Sequence, residues 1–245
     1  MTHVDARRLL KSRPYFASQM VINGDADGFV GGVSRNYGDV LRPTLELIGP
    51  NDKTHCVVGC YMVNVKGRTI FLADATVNVY PDSRTLAEIA VQTAKVARRF
   101  GVAPKVAMLS FSNFGSSRAQ RSERIEDAIE LARELDPSLI IDGPMQADTA
   151  LNGEVQEEYS FMDFNGPANV LVLPNLAAAN IAYKLLEELG DAEMTGPILE
   201  GMDKPVQLVA RRDGVRHIVN MAAICAADAI RQDSYWESLV SPPDE

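Results

Sequence analysis

Residues 21–32 read "VINGDADGFVGG". Two carboxylates, Asp25 and Asp27, stand one residue apart among glycines at 24, 28, 31 and 32. A calcium loop, a phosphate cradle and a plain sharp turn all compete for this pattern. A calcium loop of the EF-hand kind needs oxygen ligands at its first, third and fifth positions and a Glu at its twelfth. Counted from Asp25, the fifth and twelfth positions hold Phe29 and Asn36, so that reading fails. No Lys follows the glycines as a P-loop requires, and there is no G-x-G-x-x-G. A glycine-rich turn is left, read as running from a strand at 20–23 into a helix that begins near Phe29. Gly and Asp are the residues that sharp turns demand. The functional reading makes Gly24, Asp25, Asp27 and Gly28 a turn at the edge of a ligand cleft, lined by backbone N–H groups. Carboxylates repel a phosphate there, so Asp25 and Asp27 suit holding structure or bonding hydroxyls.

Beyond this stretch, short apolar runs alternate with amphipathic segments. "TIFLAD" (69–74) precedes "SRTLAEIAVQTAKVARRFG" (83–101), whose apolar residues recur at three- and four-residue steps, with Gly101 where a helix-ending glycine belongs. "KVAMLSF" (105–111) precedes a helix over 122–137, with Ser122 as its cap and Pro137 at its close. "SLIIDG" (138–143) and "NVLVLP" (169–174) are further apolar runs, the second leading into a helix over 177–190. Such alternation implies an α/β protein with a largely parallel sheet covered on both faces. Ligands of such sheets bind beyond the carboxyl ends of the strands. The loops there offer Asn78, Ser110, Ser112, Asn113, Ser116 and Asn180, neutral donors suited to an anionic ligand.

Composition narrows the class. The 245 residues are 46% hydrophobic and 23% charged, ordinary for a globular protein. A net charge of −9 argues against a nucleic-acid partner, whose binding rests on phosphate neutralisation. No run of about 18 apolar residues suggests a membrane span. The three cysteines, Cys56, Cys60 and Cys225, lack C-x-x-C spacing and read as small buried residues of a reducing, cytoplasmic protein. No metal-ligand set and no Ser–His–Asp set can be drawn from His3, His55 and His217. The tail "SPPDE" reads as disordered.

Read in order, "NGDADGFVGG", "LRPTLELIG", "LADATVNVYPDSRTLAEIA", "FGVAPKVAMLSFS", "IIDGPMQAD", "VLVLPNL", "GPILEGMDKPV" and "HIVNMAAICAADA" resemble the phosphotransacetylase and phosphotransbutyrylase family, from about residue 20 to residue 230. "SNFGSS", "NGPANVLVLPNLAAANIAY" and "IVNMAA" look like the phosphotransacetylase-like C-terminal region of NADP-dependent hybrid malic enzymes. The resemblance implies a two-domain fold arranged like isocitrate and isopropylmalate dehydrogenases, with mainly parallel sheets. It implies a first domain truncated in its N-terminal part, built from 1–52 and 191–245, around a second domain at 53–190. It also implies acetyl-CoA or CoA as ligand, with no covalently bound cofactor. The partners expected are a second copy of the chain or more, favoured by exposed core, and a malic enzyme catalytic region. Neither a membrane nor a nucleic acid is expected among them.

Family members move an acetyl group between CoA and phosphate. The resemblance assigns them an Asp base for the CoA thiol and a neighbouring Ser and Arg that stabilise the acyl group. Aligned on "KPV" and "IVN", the Ser position holds Ala210, the Arg position Arg211, and the Asp position His217. Alanine has no side-chain hydrogen bond to give. His217 is a possible base, but Arg211, Arg212 and Arg216 surround it with positive charge. Arg42, in "LRP", matches an arginine that the family directs at its ligand, and guanidinium groups suit bidentate phosphate contacts. The expectation is a module that binds acetyl-CoA for regulation and assembly, with acyl transfer lost. The alternatives are an active phosphate acyltransferase and a purely structural oligomerisation module.

Overall fold

The computed structural model describes residues 2–115 and 120–240, with the side chains of 120–122 and 233–240 left aside. Ser116 and the tail 241–245 therefore lie outside the described residues. The chain divides into two units, Met1–Lys53 with Met202–Glu245, and Thr54–Gly201.

The first unit opens on α1 (His3–Leu9), where the Thr2 side chain and Asp5 cap one another's backbone N–H groups. His3 is the first residue of this helix. α2 (Arg13–Ile22) follows, with Pro14 in its first turn, where a missing N–H costs nothing. The strand expected at 20–23 is the last turn of α2, a correction with a plain cause: so short an apolar run is too little to separate strand from helix. The Gly24 N–H bonds the Val21 carbonyl at 3.2 Å and the Asp25 N–H bonds the Met20 carbonyl at 2.9 Å, while Gly24 takes φ +77°. This paired closure is a Schellman helix end, which needs a left-handed residue and so favours Gly. The helix expected near Phe29 is instead a strand, β1 (Phe29–Gly31). α3 (Tyr37–Leu47) comes next, and the unit resumes after Gly201 with β8 (Val206–Leu208) and α9 (Val215–Val240). β1 and β8 pair in parallel, Phe29 beside Val206 and Gly31 beside Leu208. Val21, Val40, Val206, Leu208 and Met221 are buried in this unit.

The second unit runs β2 (Val58–Val65), β3 (Arg68–Ala73), α4 (Ser83–Arg99), β4 (Lys105–Leu109), α5 (Gln120–Leu135), β5 (Ile140–Met145), α6 (Ala147–Leu151), α7 (Gly153–Gln156), β6 (Val170–Val172), α8 (Leu176–Leu189) and β7 (Glu193–Glu200). Its sheet has the order β5-β4-β6-β3-β2-β7. β5, β4, β6 and β3 are parallel, whereas β2 runs antiparallel to both β3 and β7. β2 turns into β3 through Lys66 and Gly67, both at positive φ, as a two-residue hairpin loop requires. Because β7 pairs with β2, the unit ends at Gly201. The boundary expected at 190 marked only the end of α8. Ile70, Leu72, Ala107, Leu109 and Leu171 pack on Ala178, Ala179, Ala182, Tyr183 and Leu186 of α8. Phe71 points to the opposite face, its ring 6.1 Å from Phe100 at the end of α4. The Gly101 N–H bonds the Arg98 carbonyl, so Gly101 closes α4 as its sequence position suggested. α5 starts two residues before Ser122, which is therefore inside the helix rather than its cap.

The chain leaves β3 through Asp74, a side chain only 2% exposed. Its Oδ1 accepts the N–H groups of Gly59 (3.1 Å), Thr76 (3.0 Å) and Val77 (3.2 Å). Its Oδ2 accepts the Asn78 backbone N–H (2.6 Å) and the Asn78 side-chain amide (2.5 Å). Burial pushes this carboxyl above the usual carboxylate range, against the opposing pull of hydrogen bonds from Thr76, Asn78 and Gly59.

Asp74→Ala would leave five inward-facing donors without their acceptor. We expect it to cost about 3 kcal/mol or more, read as a lower urea midpoint for the second unit. In the first unit, Gly24→Ala meets no atom within 4 Å and carries only the left-handed backbone cost of about 1–2 kcal/mol. A Cβ on Gly32, at φ +146°, would fall 1.7 Å from the Val209 carbonyl oxygen. Gly32→Ala should therefore strip hydrogen-exchange protection from β1 and β8, while Gly24→Ala leaves most of it.

Candidate functional site

Four parallel strands of the second unit send their following loops to one edge of the sheet. Asn78, read from sequence as a ligand donor, is used there internally: its amide also donates to the Val57 carbonyl at 2.9 Å. Asn113 is committed likewise, accepting the Gln146 N–H at 2.7 Å and donating to the Tyr159 hydroxyl at 3.0 Å. It ties the loop after β4 to the one after β5. Ser110 is half-buried, and its backbone N–H goes to the Met145 carbonyl. The Ser112 hydroxyl is buried and finds no partner among the described residues. Asn180 lies half-buried on α8, without a side-chain hydrogen bond among the described residues.

Two side chains at this edge escaped the sequence reading. Arg124 donates to the Pro81 carbonyl at 2.7 Å and to the Pro174 carbonyl at 2.9 Å, joining the loops after β3 and β6. Asn175 caps α8 by accepting the Ala178 N–H at 2.9 Å. α4 starts at the same edge under Asp82, whose carboxyl is held below its ordinary range by hydrogen bonds from Thr85. α8 has no acid in its first turn, so the positive end of its dipole stays uncompensated. Capping side chains are legible in principle as Asp or Asn before a helix. The arginine clamp is not, because its acceptors are carbonyls distant in sequence.

In the first unit the carboxyl ends of β1 and β8 lie side by side. The Val209 N–H bonds the Gly31 carbonyl at 3.0 Å, and Gly32 abuts the Val209 carbonyl. Ala210 and Arg211 follow at this edge. Gly24, Asp25, Asp27 and Gly28 precede β1 and so sit at the opposite, amino edge. There Gly28 leaves room for the Cys225 thiol and Pro205. The opening stretch thus reaches the edge carrying Arg211 through Gly31 and Gly32, and its two carboxylates do not. The turn lies at the amino edge because the expected helix and strand are reversed. Arg42 stands on α3, 80% exposed, with its Nε 2.6 Å from Glu46, which also accepts the Tyr15 hydroxyl. The cysteines are free, and burial pushes the Cys225 thiol up to about 11. Among the described residues no group of three His, Cys, Asp or Glu side chains is placed to hold a metal.

His217 lies in the first turn of α9. Its Nε2 is 3.3 Å from the Asp213 carboxylate, and the same oxygen accepts the Ala210 N–H at 2.6 Å. The sequence reading weighed only the arginines around His217 and passed over this acid four residues earlier. An i, i+4 spacing at the start of a helix is the signal that finds it. Arg211, Arg212 and Arg216 are exposed.

Among the described residues no helix is long and apolar enough to cross a membrane. Over 226 residues the chain is 42% identical to an NADP-dependent malic enzyme of Rhizobium meliloti (strain 1021), covering 92% of this chain and 30% of that protein. It is 37% identical to a phosphate acetyltransferase of Bacillus subtilis (strain 168), covering 94% and 71%. A phosphotransacetylase structure from Streptococcus pyogenes superposes with a TM-score of 0.89 at 36% identity, again over 94% of this chain and 71% of that one. The chain therefore spans under a third of the malic enzyme and about seven-tenths of the other two. Residues 1–226 match the model of the phosphate acetyl/butaryl transferase family. With that match and the identity to a phosphate acetyltransferase over most of its length, the chain belongs to this family.

Proposed function

We propose that this chain is a phosphotransacetylase-type module that binds acetyl-CoA or CoA, with efficient acyl transfer to phosphate lost. Ala210 carries the reading. It stands at the family's Ser position with a methyl where a hydroxyl is expected, and its N–H is already taken by Asp213. A developing negative charge on the acyl group has lost one donor there, and one such donor is worth roughly 10²–10³ in rate in enzymes where it has been removed. Arg211, at the family's Arg position, supplies charge for a CoA phosphate or an acyl phosphate. The bare dipole of α8 and the unpartnered Ser112 hydroxyl support an anionic ligand on the second unit. The likeness to a malic enzyme supports a regulatory role beside a malate-oxidising region in a cytoplasmic assembly. Ile181, Leu185 and Leu189, exposed at four-residue steps along α8, support association with another chain. The two-stranded sheet of the first unit supports a reduced first domain in an isocitrate dehydrogenase-like arrangement. A second reading, active transfer with His217 as base, is favoured by the carboxylate beside that ring.

Calorimetric titration of the full chain with acetyl-CoA tests this. Saturable binding is expected, weakened about tenfold by Arg211→Ala, since loss of a hydrogen bond to a charged group costs about 1.5–3 kcal/mol. Arg42→Ala should weaken it less, because Glu46 already engages that guanidinium. Consumption of acetyl phosphate with CoA should stay at background. Turnover at the rate of a working acetyltransferase would overturn the loss of transfer, and absence of binding by the folded chain would overturn the ligand.

A further inference from the structure

We infer that the outward face of α8 is a contact surface for a second copy of this chain, the two helices lying antiparallel about a two-fold axis near Leu185. This rests on the reading that the chain associates with another chain, and it names the partner, the face and the register.

α8 is apolar on more than the side it packs. Ala178, Ala179, Ala182, Tyr183 and Leu186 meet the core of the second unit. Ile181, Leu185 and Leu189 are nonetheless 60%, 53% and 81% exposed. Residues four apart on a helix are neighbours on its surface, so these three form one continuous row about 12 Å long. A water-facing helix side in the same unit looks different: the exposed positions of α5 include Glu126, Asp127, Glu130 and Glu134. A single exposed leucine needs no partner. An apolar row on a helix already anchored by another side marks a contact surface.

The charges beside the row say what covers it. Lys184 and Glu188 are exposed, one helical turn apart, along the same side of the row. Neither makes an ion pair within its own chain among the described residues. A two-fold contact is self-complementary, each residue meeting the counterpart that the axis assigns to it. Turning α8 over about an axis at Leu185 sets Leu185 against its own copy and Ile181 against Leu189 of the other copy. The same rotation brings Lys184 to Glu188 of the other copy, twice over. A parallel alignment in register sets like charges level with one another, which opposes association. A single pair of helices is short for the roughly 1,000 Å² that a stable interface buries. The dimer made by this face therefore dissociates on dilution.

Sedimentation velocity of the full chain over a range of loading concentrations tests this. Wild type should shift from one chain to two as concentration rises. Leu185→Glu sets two carboxylates against each other at the axis and should weaken the dimer about a hundredfold or more. Leu135→Glu, at a comparably exposed leucine of α5, should leave it unchanged. Lys184→Glu and Glu188→Lys should each weaken it about tenfold. An equimolar mixture of those two chains should recover it, because each then meets the opposite charge. A Leu185→Glu chain that dimerises like wild type overturns the α8 face and leaves association standing. Charge variants that dimerise no better mixed than apart overturn the antiparallel register. A wild type that stays a single chain at every concentration overturns the inference and the association reading together. The substituted side chains are exposed, and far-ultraviolet circular dichroism identical to wild type shows that the variants fold.

Discussion

Removing a carboxylate from water costs several kcal/mol unless its oxygens are fully bonded. Asp74 meets that demand with N–H groups from two separate pieces of chain: Gly59 on β2 and the Thr76–Asn78 bend that follows β3. The bonds run both ways. The acid satisfies donors that the chain cannot pair with a strand neighbour, and those donors hold the acid. β2, the exit from β3 and the approach to α4 are fixed relative to one another in consequence. Arg124 extends the same arrangement outward by binding the carbonyls of Pro81 and Pro174. The carboxyl edge of the second unit is thus held by buried polar groups as much as by the apolar layer beneath it. Its loops lack the residues for a repeating ladder.

Periodicity made most of the second unit legible. β4 and β6 fall within the apolar runs at 105–111 and 169–174, β3 and β5 overlap those at 69–74 and 138–143, and α4 and α8 end within a residue or two of their expected limits. Gly101 was readable because a glycine after a long amphipathic segment has one common use. The antiparallel part was not read. "HCVVGCYMVNV" looks like continuous core, and the Lys66–Gly67 turn is a weaker signal than Asn-Gly. β7 was assigned to the wrong unit because sequence shows where a helix ends and not which strand the next segment will pair with.

The first unit was misread at the residues that seemed most informative. "MVIN" is helical because the register begun at Pro14 carries through it. The glycine after it closes that helix rather than opening one. Reversing two elements moves four predicted site residues, Gly24, Asp25, Asp27 and Gly28, to the amino edge. It leaves Gly31 and Gly32 at the edge where Val209, Ala210 and Arg211 emerge. Gly32 earns its place by geometry, since no side chain fits against the Val209 carbonyl. Alignment along the "KPV" and "IVN" blocks leads to 210–217 whatever the local secondary structure.

In that segment the changes from the family pattern act together. Replacing Ser by Ala at 210 removes a donor to the acyl group, and replacing Asp by His at 217 removes a fixed negative charge. A carboxylate is present four residues earlier in the chain, at Asp213. It stands 3.3 Å from the His217 ring. On the proposed reading, a site altered in this way gives up stabilisation of the transferring acyl group, and binding of CoA is then separable from turnover of acetyl phosphate.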